Sequence, residues 1–137
     1  MSWLIALILL YISLIDLKFH RIPNVALLLL APLAALHFIA SKTRWSDQFM
    51  PTIIFFLLLL ILWYFFDLGM GDVKLLTLLS LFIIPGEKEA YLIFLSIFSV
   101  ATLIHLAALK FTSPTWDSRI PLAPSISIAT ILMLSVK

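Results

Sequence analysis

Long apolar runs parted by very short polar breaks leave this chain few places to fold other than a lipid bilayer. Leu57 to Leu62 is aliphatic throughout, inside a run that extends from Phe49 to Phe66 with no charged side chain. Of the 137 residues 64% are hydrophobic and 12% charged, against about half and about a quarter in soluble domains. Lipid offers no partner to a backbone N–H or C=O, so a spanning segment must bond to itself as a helix or close into a barrel. The alternation of a barrel strand is absent. The expected fold is all-α: a polytopic membrane protein with about six transmembrane helices, at about 20 residues per span, forming one membrane-embedded domain over 1–137.

The spans are predicted at Trp3–Leu17, Ile22–Ala40, Phe49–Phe66, Val73–Ile84, Ala90–Leu109 and Ile120–Val136. Pro23 suits the first turn of the second, and Ala31 with Ala35 makes a small-xxx-small pair for close helix packing. Ser41 to Gln48 reads as a polar loop, and Lys110 to Arg119 is the longest polar stretch. The N-terminal M-S-W-L-I-A-L-I-L-L has neither a basic n-region nor a small-residue cleavage motif, so it reads as a retained span.

Several function classes fall away. The net charge is +2, but the basic residues are scattered, so no nucleic-acid partner is expected. Cysteine is absent, which excludes disulfides, thiolate metal sites and thiol nucleophiles. His20, His37 and His105 lack ligand spacing, so no metal is expected; His105, inside the fifth span, suits an interhelical hydrogen bond. No phosphate-binding loop, dinucleotide glycine pattern, serine elbow or H-E-x-x-H is present.

What remains is a small set of acids beside apolar runs. Asp16 heads D-L-K-F-H-R-I-P-N and Asp72 closes the G-M-G-D of G-M-G-D-V-K-L. Acids at the margin of a membrane core are costly and mark a site by default. Each also has a plain reading: Asp16, at a helix C-terminus where the dipole disfavours an anion, would be wetted at the interface; Asp72 would be an N-cap. Asp67 reads as a solvated loop acid, and Lys74 as a contact for lipid phosphate or a substrate carboxylate. Gly69 and Gly71 allow backbone shapes and close approaches that other residues resist. Taken together, Asp16 and Asp72 can share one proton and activate water, as in aspartic proteases, with no cofactor.

These residues carry a family resemblance that covers essentially the whole chain. The sequence resembles the prepilin peptidases, the GxGD-type aspartic proteases of bacteria, with archaeal preflagellin peptidases as relatives. D-L-K-F-H-R-I-P-N is similar to the family's first aspartate motif, G-M-G-D-V-K-L to its G-x-G-D-x-K-L motif, and R-I-P-L-A-P-S-I-S to its I-P-x-G-P segment, with Ala123 in place of glycine. The resemblance implies that Asp16 and Asp72 are the catalytic pair, that Gly69, Gly71, Lys74, Pro23 and Asn24 support them or substrate, and that the substrates are type IV prepilin-like precursors (prepilins, pseudopilins or Flp-type pilins). It further implies cleavage at the cytoplasmic face of the bacterial inner membrane. Lacking cysteine and starting directly at its first span, the chain resembles the short peptidase-only type, for which no N-methyltransferase activity is expected.

Six spans would put both termini on one side and Asp16, Asp67–Asp72 and Lys110–Arg119 on the other. Lys18, Arg21, Lys74, Lys110 and Arg119 then face Lys42, Arg44, Lys88 and Lys137 across the membrane, a bias that favours the aspartate side as cytoplasmic. Two other readings use the same features: a small ion-coupled transporter or channel subunit, since intramembrane acids also mark ion paths, and a non-catalytic pilus-assembly protein.

Overall fold

A computed structural model describes residues 2–112 and 120–135; Arg119 and Lys137, two of the charges counted above, and most of the Lys110–Arg119 stretch lie outside the described residues. Among the described residues the chain is entirely helical: α1 (Ser2–Phe19), α2 (Asn24–Ala40), α3 (Trp45–Phe66), α4 (Met70–Phe82), α5 (Lys88–Thr112) and α6 (Ala123–Ser135). The polytopic all-α expectation is met. α1, α3 and α5 are long and apolar enough to cross a membrane; α2 and α6 are shorter apolar helices, and α4 has 13 residues.

Polarity is distributed the opposite way from that of a water-soluble bundle. Outward-facing side chains include Trp3, Leu28, Tyr64, Phe66 and Phe111, whereas Ser13, Ser80, Ser125, Ser127 and Thr130 are buried. Lipid tolerates the first group, and the interior supplies the second with hydrogen bonds that lipid cannot. Neighbours run α3–α4–α2–α1–α6–α5, with α4 also touching α6. The core gathers Ile5, Leu9 and Ile12 of α1, Leu30 and Ala34 of α2, Val73, Leu76 and Leu79 of α4, and Ile126 and Ala129 of α6. In α2 the buried small residues are Ala26 and Ala34, while Ala31 and Ala35 are half-buried. The packed face is thus centred on Leu27, Leu30 and Ala34, with the predicted pair at its edge.

The loop expected over Ser41 to Gln48 is shorter than predicted, because α3 begins at Trp45. Gln48 is buried, and its amide donates to the carbonyls of Ser80 and Ile84. The last turn of any helix leaves carbonyls without partners; Gln48 takes up that of Ser80 in α4 and that of Ile84 just beyond it. Thr52 Oγ1 also lies 3.3 Å from the Ser80 carbonyl, and Ser80 Oγ is 2.6 Å from the Tyr91 hydroxyl. Beside this cluster Gly86 passes so close to Asp47 that a Cβ at position 86 would sit 2.1 Å from the Asp47 carbonyl oxygen. The far ends of α3 and α4 and the start of α5 are thereby latched together.

Candidate active site

Successive helices reverse direction, so α1, α3 and α5 end where α2, α4 and α6 begin. That end collects the residues of interest. Asp16 lies on the stripe Ile5, Leu9, Ile12, Asp16, spaced four, three and four residues apart, the spacing of one helix face. It is therefore turned into the bundle and only 5% exposed. The wetted reading does not describe it. Its Oδ2 accepts the N–H of Ala123, 3.0 Å away, at the first turn of α6. The end of α1 is a poor place for an anion; the start of α6 is a good one, with a free N–H aimed at the carboxylate.

Asp72 is not an N-cap. Gly69 holds that position, with no side-chain cap bond, and Asp72 is the third helical residue of α4. It is 8% exposed, and its Oδ1 is buried with no hydrogen-bond partner. An unpaired buried carboxylate oxygen is expensive.

Both carboxylates line one cavity of about 450 Å³, together with His20, Trp63, Asp67, Gly69, Pro121 and Leu122. Asp67 closes α3 in a left-handed conformation (φ 53°), which aspartate tolerates, and it stands exposed at the cavity wall. His20 is also left-handed (φ 50°) at the end of α1, with its Nδ1 buried and unpartnered. Nothing in the sequence pattern singled out His20 for this position. His105 sits across from Ser125 of α6, with Nδ1 3.5 Å from Ser125 Oγ, the outer limit of a hydrogen bond.

The glycines act through space and not through backbone dihedrals. Gly69 has φ −59° and ψ 132°, open to any residue, and no described glycine has positive φ. A Cβ on Gly69 would lie 2.7 Å from Asp72 Oδ2, and one on Gly71 would lie 3.0 Å from the Cβ of Ile22. Gly71 thus lets α4 start against the I-P-N segment. One turn on, Lys74 Nζ donates to Asn24 Oδ1 at 3.2 Å, at an exposed position. Pro23 is the N-cap of α2, with φ −70° and ψ 132°, instead of standing in its first turn. The two sequence motifs are therefore in physical contact, through Gly71 with Ile22 and Lys74 with Asn24.

The model of the type IV leader peptidase family matches residues 3–107, a stretch that contains Asp16, Asp72 and both motifs. The chain belongs to the type IV leader peptidase family. Comparison with curated proteins and with solved structures finds no match. Membership of this leader peptidase family makes the chain a membrane-embedded peptidase. The match stops short of α6, the helix whose Ala123 amide holds Asp16.

Proposed function

We propose that this leader peptidase is an aspartic endopeptidase that removes the leader from type IV prepilin-like precursors, with Asp16 and Asp72 as the catalytic pair. The observation that carries this reading is the single cavity lined by both carboxylates. Two carboxyl groups in one poorly solvated cavity do not readily ionise together; one keeps its proton and the pair titrates jointly. The ionised member takes a proton from water as the water oxygen bonds to the scissile carbonyl carbon. The protonated member gives its proton to the carbonyl oxygen. When the tetrahedral adduct collapses, the C–N bond breaks and the amine leaves with the proton that came from water. The adduct's hydroxyl proton returns to the second carboxylate as the carbonyl re-forms. One amide and one water become one acid and one amine, and the pair is restored.

The cavity lies at the helix ends, where a leader outside the apolar core would meet it while the precursor's own apolar segment stayed in lipid. Ion-coupled transporters place such acids near the bilayer midplane, at broken helices, and α1 and α4 run unbroken through theirs. The purified chain in detergent is expected to convert a prepilin-like precursor into leader and mature product; a folded preparation that leaves the precursor intact overturns the reading.

We also infer that the aspartate end faces the cytoplasm. Lys18, Arg21, Lys74 and Lys110 support this, set against Lys42, Arg44 and Lys88 at the other end. With no native cysteine to interfere, a single cysteine at position 44 is expected to react with an impermeant thiol reagent added outside intact cells, and one at position 74 only after lysis. The reverse pattern inverts the orientation.

A further inference from the structure

One turn deeper than Asp16, α1 and α6 are joined by a buried polar contact that the peptidase chemistry does not use. The Ser13 hydroxyl donates to Ser127 Oγ at 2.7 Å, and Ser127 Oγ lies 3.1 Å from the Leu9 carbonyl, to which it donates. Ser13 Oγ itself lies 2.8 Å from that same carbonyl and 3.4 Å from the carbonyl of Ala123. Ser127 is 1% exposed and Ser13 7%. The contact thus ties α1 to α6 at the level where Ala123 begins the helix. Apolar packing alone sets such a register loosely, since neighbouring registers offer similar dispersion contacts; interhelical hydrogen bonds select one.

We propose that Ser13 and Ser127 are positioning residues that hold α1 on α6 in the one register where the Ala123 amide grips Asp16 Oδ2, leaving Asp16 Oδ1 as the oxygen available to water and substrate. The proposal rests on the Asp16/Asp72 reading above and deepens it. A carboxylate on a helix can swing about two side-chain bonds; one N–H fixed in the backbone of another helix restrains that swing only if the two helices keep their offset. Ser13 precedes Asp16 by three residues and Ser127 follows Ala123 by four, so the serine contact and the Asp16 contact are adjacent on the same two faces. The titratable groups whose charge acts on Asp16 are His20 at the end of its own helix, His105 of α5 and Asp72 of α4; none of them donates the bond that Ala123 makes.

The test compares Ser13→Ala, Ser127→Ala, the double variant and Ala123→Pro with the parent chain on a prepilin-like precursor in detergent. Neither single serine variant strands a buried polar group, because the surviving hydroxyl still reaches the Leu9 carbonyl. Ala123→Pro deletes the N–H at the first position of α6, where proline suits the helix. Ala123→Pro and the double serine variant are each expected to keep helical content and KM while kcat falls about tenfold, the cost of a modest misplacement of a reacting group. Each single serine variant keeps one bond between the two helices, from Ser127 to the Leu9 carbonyl in Ser13→Ala and from Ser13 to the Ala123 carbonyl in Ser127→Ala, so each should lose less than the double variant, and Ser13→Thr, which keeps the hydroxyl, should stay near the parental kcat. Parental kcat in the double variant overturns the proposal, as does a KM that rises together with a falling kcat. If the parent chain cleaves and Asp16→Asn does not, the dyad reading stands whatever the serine variants show; if Asp16→Asn cleaves normally, that reading fails first.

Discussion

Asp72→Asn and Asp16→Asn are each expected to lower kcat for leader removal by about a thousandfold or more, with the protein still inserted and helical. An amide is nearly the same size as a carboxyl group, so packing changes little. What it lacks is the exchangeable proton. General acid–base catalysis contributes about 10²–10⁴-fold per group, and the two groups work on one proton inventory. Losses from members of such a unit do not add, so the double Asn variant is expected to be scarcely worse than either single one. For Asp72 the substitution also changes the balance of a buried group whose Oδ1 has no partner; an Asn there would be tolerated or mildly stabilising. Kinetics on a purified precursor, with circular dichroism as the control for folding, measure all of this. Parental turnover by either single variant would remove the aspartic mechanism.

Gly69→Ala is expected to cost about a hundredfold in kcat with little loss of thermal stability. The backbone at Gly69 accepts any residue, so the added methyl brings no dihedral strain. It brings a collision with Asp72 Oδ2, at 2.7 Å. The carboxylate is the free end of a side chain and can swing away, which spares the fold and misplaces the oxygen proposed to act on water. Misplacement by about 1 Å is enough for a loss of that size. A Gly69→Ala variant with parental kcat would mean that the position of the Asp72 carboxylate does not limit the reaction. A variant that failed to insert would show instead that Gly69 is needed for packing.

The helices were legible because lipid forces long uniform runs, and their number and order follow from the breaks between them. Which face of each helix points inward was not. In α1, Leu4, Leu7, Leu10 and Leu14 face outward while Ile5, Leu9 and Ile12 face inward, and both sets are equally apolar, so no amphipathic stripe marks the core side. The burial of Asp16 followed from a stripe that cannot be recognised without the neighbouring helices. In the sequence Gln48 closes the polar stretch that holds Lys42, Arg44 and Asp47 and so reads as loop; its task of closing the carbonyl end of α4 depends on a helix that starts more than twenty residues later.

The acids themselves were legible as residues, since charge beside lipid stands out. Their shared cavity belongs to the folded chain alone. Gly69 and Gly71 stand out in the sequence for dihedral freedom as well as for close approach, and the structure uses only close approach. Ser13 stands in no motif, and Ala123 and Ser127 lie in R-I-P-L-A-P-S-I-S with nothing to mark their contacts: a serine in an apolar helix and a backbone N–H look the same wherever they occur.

The latch at the far end has a mechanical consequence. Gln48, Thr52 and Gly86 tie the start of α3 to the tail of α4, so sliding of the two helices would break these contacts while parting like tweezers held at the base would keep them. A 13-residue arm is about 20 Å long, so a tilt of about ten degrees at the rivet opens the tips by about 3 Å. Spin labels on α3 and α4 should therefore register substrate as a widening near Gly69 and as almost nothing near Ser80.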